Sequence, residues 1–290
     1  MTPTASETRD VLLLTALTNL HAGSGNAEYG VIDNLVQRDT ISRLPVINAS
    51  SLKGAFREFF KGKLTLGDDK IAAIFGHDYD DSEGGQTSFH MGNHAFFEAQ
   101  LLCLPIRSNQ KPFFRATCPF VLQTFIQRLK DFNHSKAADI EKALKDLMSI
   151  ATVKGTPSVF QTFEGNLWLE DWEAQFYVGK EGENKAIEKT KATNILGSDL
   201  ALLHDDDFKT LCNNENLPII ARNHLENGVS KNLWYEQIVP RESRFFSMTL
   251  RPTANTDFSS KFAKDNKNIV QIGANASVGY GYSKIQILEI

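Results

Sequence analysis

Apolar residues in this chain fall into two kinds of run, and the spacing inside each predicts a different element. Val11, Leu12, Leu13 and Leu14 form an unbroken block bounded by polar residues. A block of that length, taken over 11–18, is too short for a typical helix and predicts a buried strand. Leu52, Ala55, Phe56, Phe59 and Phe60 instead recur at i, i+3, i+4, i+7 and i+8, the period of an amphipathic helix. Ser50 and Ser51 stand at its start as candidate caps. Its other face carries Lys53, Arg57 and Lys61, four apart and so aligned as one basic stripe.

Further along, 62–93 turns to Gly, Asp and Ser with Gly84-Gly85 as a turn signal, which predicts an exposed excursion or hairpin. Strand-like runs follow at 95–106 and 113–121, then helical patterns at 120–132 and 136–150. The second helix places Ile140, Ala143, Leu144, Leu147 and Ile150 at helical spacing behind Ser135 as a cap. Gly155-Thr156-Pro157 breaks the pattern, 166–172 reads as a strand, and the charged stretch 178–193 reads as a mobile loop. Aromatic and β-branched residues return as strands at 232–238, 245–251 and 284–290. The order predicts an α+β fold, with helices gathered on one face of a largely antiparallel sheet, in one domain spanning 1–290 with insertions.

Composition narrows the class without naming a function. With 41% hydrophobic and 23% charged residues the chain matches a globular protein with a sizeable core. The start, 1–10, is polar, and no apolar stretch is long enough to span a bilayer, so the expectation is a cytoplasmic protein with no membrane partner. Cys103, Cys118 and Cys212 are far apart with no CxxC pair, so neither a disulfide framework nor a zinc knuckle is indicated. Net charge is 31 minus 35, or −4, so bulk charge does not drive nucleic-acid binding and any RNA or DNA contact must be local. Acidic residues cluster in 68–81, 164–183 and 204–207, while Arg38, Arg43, Lys53, Arg57, Lys61 and Lys63 gather in one early region. That segregation permits one basic groove on an acidic body.

Candidate chemistry sits near two glycine loops, His21-Ala22-Gly23-Ser24-Gly25 with Gly30, and the late run from Gly273 through Gly279 and Gly281 to Tyr282. Neither is a Walker A loop, and neither fits GxGxxG at a strand-to-helix turn. Glycines let main-chain N–H groups approach an anion, but they also simply make tight turns. Asp33 lies between Ile32 and Leu35, with Arg38 five residues on, and an ion pair with Arg38 is the structural alternative to a catalytic carboxylate. His21 is either a hydrogen-bonded loop histidine or a base. Phosphodiester cleavage needs a base or a metal-holding carboxylate, plus cations, and Asp33, His21, Lys53 and Arg57 supply those types. His90 and His94, four apart, have the spacing of metal ligands in a Phe-rich segment that argues for structure. Glu242 stands between Arg241 and Arg244, where a structural ion pair is the default.

Taken in order, 21–25, 30–33, 36–39, 44–47 and 50–57, with the late glycine loop, closely resemble motifs of the RAMP superfamily of CRISPR proteins. More narrowly, with 101–108, Asn232-Leu233-Trp234-Tyr235-Glu236 and the stretch 240–246, the chain resembles the backbone subunit of the type III-B (Cmr) effector complex. The resemblance implies a modified ferredoxin-like (RRM-like) core with inserted helices. Copies would stack helically along guide RNA, beside other subunits of that complex, and present complementary target RNA for cleavage at regular intervals. It also implies a protruding thumb hairpin, for which 62–93 and 178–193 are the candidates. Asp33 matches the family's catalytic aspartate in its Gly-Val-x-Asp motif, and His21 and Glu242 match positions associated with the same site. A divalent metal, Mg²⁺ or Mn²⁺, is implied as cofactor, with Asp33 holding it or orienting ribose and phosphate, and the 2′-hydroxyl as nucleophile. Guide contacts fall to Arg38, Ser51, Lys53, Arg57, Gly273, Gly279 and Gly281. The chain departs from the family at Tyr280 and Tyr282, where a basic residue is common, and stacking by tyrosine is the substitute. Two competing readings are a non-catalytic backbone of the same complex and a stand-alone guide-processing ribonuclease.

Overall fold

The apolar block near the start becomes strand β1 (Glu7–Ala16), whose last seven residues are buried in succession. In this computed structural model, residues 7–27, 31–64, 66–77, 91–177, 191–264 and 268–288 are described. After β1 come β2 (Gly23–Ala27), β3 (Asn34–Val36), β4 (Val46–Ile47), α1 (Ala49–Gly62) and α2 (Asp68–Phe75). The middle of the chain forms β5 (Ala95–Phe96), β6 (Ala99–Ile106), β7 (Phe114–Thr117), α3 (Pro119–Asp131), α4 (Ala137–Met148), β8 (Ser158–Val159), β9 (Leu167–Leu169) and β10 (Trp172–Phe176). The last part forms α5 (Lys191–Leu196), β11 (Leu200–Leu202), α6 (Asp205–Leu211), β12 (Ile219–Glu226), β13 (Val229–Gln237), β14 (Arg244–Pro252), α7 (Asp257–Lys264), β15 (Ile269–Gln271) and β16 (Tyr282–Ile287).

Among the described residues these strands make a twelve-stranded sheet, ordered β15-β16-β1-β14-β6-β7-β11-β8-β10-β9 with β4 and β5 alongside, and a four-stranded one, β12-β13-β3-β2. At the centre of the large sheet β16, β1, β14 and β6 are all antiparallel, with α1 between β1 and β6 in the chain and α7 between β14 and β16. The helical faces meet in a phenylalanine cluster. Phe60 of α1 stacks on Phe258 of α7 at 5.3 Å, Phe56 meets the same ring edge-on at 5.4 Å, and Phe75 of α2 stacks on Phe96 at 5.3 Å.

Several expectations change here. The helices are not confined to one face: successive side chains of a strand point to opposite sides, and β1 and β14 are buried almost continuously, so both sides of the sheet are covered. On β14, Phe246 packs against Phe125 of α3 at 4.6 Å, while Phe245 beside it is equally buried and points the other way. Within 62–93, helix α2 buries Ile71, Ile74 and Phe75, so the Gly and Asp content marks the ends of a helix rather than an open excursion. The rest of that candidate, 78–90, including His90, and 178–190 of the second candidate lie outside the described residues. The strand expected over 166–172 is two strands, because Glu170 turns the chain at φ 48°. The run 113–121 stops at Thr117, since Pro119 opens α3 in the first turn, where its missing N–H leaves no bond unmade.

The long exposed hairpin among the described residues is β12–β13, turning at Asn227-Gly228, both with positive φ. Sequence patterning finds its second strand alone, because β12 is too polar and exposed to display a strand period. No helix of the described residues is long and apolar enough to cross a membrane.

Candidate functional site

The two glycine loops that bracket the chain meet. Ala274 N–H donates to the His21 carbonyl at 2.9 Å, and Gly281 N–H donates to the Asn19 carbonyl at 2.8 Å. Their closeness explains Gly273 directly, and the late loop's own turn explains Gly281. A Cβ on Gly273 would stand 2.4 Å from the His21 carbonyl oxygen, and one on Gly281 would stand 2.0 Å from that of Ile272, both at positive φ. Gly279 also has positive φ, with open space where a side chain would be. It serves the turn and not a contact.

Strand β13 organises what lies beside this junction. His21 is buried, with Nδ1 2.6 Å from the Gln237 carbonyl oxygen. A carbonyl only accepts, so Nδ1 carries the hydrogen and Nε2 is left facing Gly23, where a Cβ would sit 3.0 Å away. Two residues earlier on the strand, the Tyr235 N–H donates to Asp33 Oδ2 at 2.7 Å, and the Asp33 N–H donates back to the Tyr235 carbonyl at 3.1 Å. Asp33 itself is exposed. The anchor points of His21 and Asp33 are thus about 7 Å apart along one strand.

Two glutamines that patterning passes over tie the surroundings together. Fully buried Gln237 donates through Nε2 to the Asn214 carbonyl and accepts from Val36 N–H through Oε1. Gln37 donates to the Gly23 carbonyl at 3.0 Å and to Ser51 Oγ at 3.1 Å, and accepts from Asn48 N–H at 2.7 Å. It therefore holds the start of α1, with the positive end of its dipole, against the first glycine loop. The helix begins at Ala49 behind Asn48 without a side-chain cap, so Ser50 and Ser51 lie in the first turn and not at the cap. Glu236, also buried, accepts hydrogen bonds from Trp234 Nε1 at 2.9 Å and Asn275 Nδ2 at 2.7 Å and pairs with Arg222 at 3.3 Å, joining hairpin to late loop. The signal for Glu236 and Gln237 was available: two polar residues at the apolar end of a strand need buried partners.

Other anticipated residues are placed differently. Arg38 does not pair with Asp33. Its Nη1 donates to the carbonyls of Arg43 and Cys212, at 2.8 and 2.5 Å, and burial pulls its pKa below the ordinary value. Arg57 donates to the Gly76 carbonyl at 2.8 Å and closes the end of α2, so the basic stripe is not three equivalent cations. Lys53 is half-buried and Lys61 exposed on the same helix. Glu242 takes its hydrogen bond from Arg115, at 2.7 Å, not from Arg241 or Arg244, and the Arg244 guanidinium instead donates to the Ile195 carbonyl at 3.0 Å. Its carboxylate is thereby held against β7. His94 is buried with Nδ1 2.6 Å from Asn93 Oδ1, and burial lowers its pKa to about 4. Among the described residues no group of three or more His, Cys, Asp or Glu is arranged to hold a metal ion.

The family model described as the RAMP superfamily matches residues 13–284. The protein named CRISPR system Cmr endoribonuclease Cmr4 from Pyrococcus furiosus is 29% identical over 294 residues, covering 96% of this chain and 95% of that one. The crystal structure of oligomeric Cmr4 from P. furiosus superposes with a TM-score of 0.66 at 25% identity, covering 97% of this chain and 99% of that one. A chain of the type III-B Cmr-beta complex bound to cognate target RNA shares the fold, with a TM-score of 0.74 at 22% identity and 98% of each chain covered. A family model matched over nearly the whole length places the chain in the RAMP superfamily.

Proposed function

We propose that this chain is the backbone subunit of a type III-B effector complex, that it binds guide RNA, and that it cleaves complementary target RNA at regular intervals. The observation that carries this reading is the hanging of exposed Asp33 and buried His21 from one strand, beside the junction of the two glycine loops. Support comes from the relative named an endoribonuclease, which matches nearly end to end, and from a fold-level likeness to a chain of a complex bound to target RNA. The antiparallel order β16-β1-β14-β6, with α1 and α7 as crossovers, supports a modified ferredoxin-like core, and the hairpin β12–β13 is the segment best shaped to serve as the thumb.

In this reading the target ribose 2′-oxygen attacks the adjacent phosphorus as the 5′-oxygen of the next nucleotide leaves. Asp33 is the group at the reacting phosphate. Its Oδ2 is fixed by Tyr235 N–H, which sets the direction of the other carboxylate oxygen. His21 positions the loop through its main-chain bonds, since its Nδ1 is committed to Gln237 and its ring is buried. A divalent ion fits Asp33 as a single carboxylate ligand supplemented by RNA phosphates and water, the manner in which Mg²⁺ is commonly held, and the described residues offer no all-protein cage for it. When bound it would neutralise charge developing on the phosphate. Guide phosphates would be held by the start of α1 with Ser51 and Lys53, and by the main-chain N–H of Gly273 in the late loop.

Replacing Asp33 by Ala in the assembled complex tests the reading. The expected outcome is loss of cleavage at every regular position, by roughly a hundredfold or more, with guide and target still bound. Undiminished cutting would leave a purely structural backbone. The stand-alone processing alternative is tested by incubating the isolated chain with precursor repeat RNA, which should remain intact.

A further inference from the structure

Arg222 lies directly opposite Trp234 in the hairpin register, with its guanidinium 5.7 Å from that ring and 5.9 Å from the ring of Tyr280 in the late glycine loop. One cation is therefore shared between aromatic rings from two separate parts of the chain. The buried Glu236 carboxylate, 3.3 Å from Arg222 Nη1, balances its charge while also accepting from Trp234 and Asn275. Arg222 is thus a fixed, neutralised plane and not a free phosphate contact. The Tyr280 backbone is fixed as well: its N–H donates to the Asn275 carbonyl at 3.2 Å, and its carbonyl accepts from Gln271 Nε2 at 3.3 Å. Glycines with positive φ flank it on both sides, and the ring is half-exposed.

From this arrangement we infer that Tyr280 is a stacking platform for an unpaired nucleobase of single-stranded RNA, with Arg222 and Trp234 as its backing and Glu236 as the clamp. The inference rests on the RNA-binding reading of the late loop and specifies its chemistry. Aromatic faces bind bases irrespective of sequence, and a ring pinned by a cation loses little freedom when a base settles on it. At this position the chain thus puts a stacking contact in place of a charge contact. That exchange has a measurable mark, because the salt dependence of binding counts neutralised phosphates, about 0.7 per contact for single strands, and stacking adds nothing to it.

The experiment measures binding of the full chain to labelled single-stranded oligo(A) and oligo(U) RNA by fluorescence anisotropy across a salt series. Tyr280→Ala should weaken binding roughly fivefold to a hundredfold with an unchanged salt slope, and more for oligo(A) than for oligo(U). Tyr280→Phe should bind like the natural chain, and Tyr280→Lys should restore affinity with a steeper slope. Lys53→Ala serves as the contrast, lowering the slope. If Tyr280→Ala unfolds, as read by its melting curve, Tyr280→Leu against Tyr280→Phe makes the same comparison at similar bulk. Unchanged affinity on losing the ring, a slope that falls with it, or failure of Phe to substitute would each overturn the platform while leaving RNA binding in place. A natural chain that ignores both RNAs would overturn the RNA-binding reading of the loop itself.

Discussion

β1 of the large sheet buries seven residues in succession, whereas β12 of the small sheet leaves six of its eight exposed. The large sheet is held by side chains, with leucines and phenylalanines on both faces covered by helices. The small sheet is held by main-chain bonds and a few polar clamps, chiefly Gln237, Glu236 and the two-way bridge between Asp33 and Tyr235. Stability and function are therefore assigned to different sets of atoms. In the hairpin the exposed side chains outside those clamps are not needed to keep the strand in place.

The most severe test of that division is Phe60→Ala. Phe60 is fully buried against Phe258, Phe75 and Phe262, and truncation should cost about 3–5 kcal/mol in denaturant unfolding. A loss under about 1 kcal/mol would deny the phenylalanine cluster its place as core. A milder effect comes from His94, whose pKa burial lowers to about 4. The unfolded chain takes up the proton near the ordinary value while the folded chain resists it, so stability is full above about pH 6.5 and falls as pH drops toward 4. Between pH 7 and pH 5 the loss should be on the order of 1–2 kcal/mol, and His94→Gln should flatten it in melts run across that range. The smallest effect is expected in the hairpin: Leu233, 53% exposed, should tolerate Leu233→Ser within about 0.5 kcal/mol. A larger shift would mean that this face is covered and the contrast between the sheets is false.

Legibility followed the same division. The block at Leu12 to Leu14 and the five-position stripe from Leu52 to Phe60 announced β1 and α1, because burial imposes a period on side chains. β12 left no such trace, since Arg222, Asn223 and His224 are set by register with β13 and not by a core. At the site, residue types and motif order marked Asp33 and His21, but their convergence on Tyr235 and Gln237 spans about two hundred residues and has no local signature. Arg38, Arg57 and Glu242 have internal partners that the sequence does not show, for one shared reason. A charged side chain reads as free for a ligand until the carbonyl or counter-ion that occupies it is known, and Arg43, Gly76 and Arg115 are those occupants.

Because Asp33 is gripped by the peptide group of residue 235 and not by its side chain, nineteen of the twenty amino acids could stand there without loosening the carboxylate, proline being the exception for lack of an N–H. The surface of the hairpin is thereby released from the site it supports. The outward face of this strand can be rewritten residue by residue while the Asp33 carboxylate stays in register.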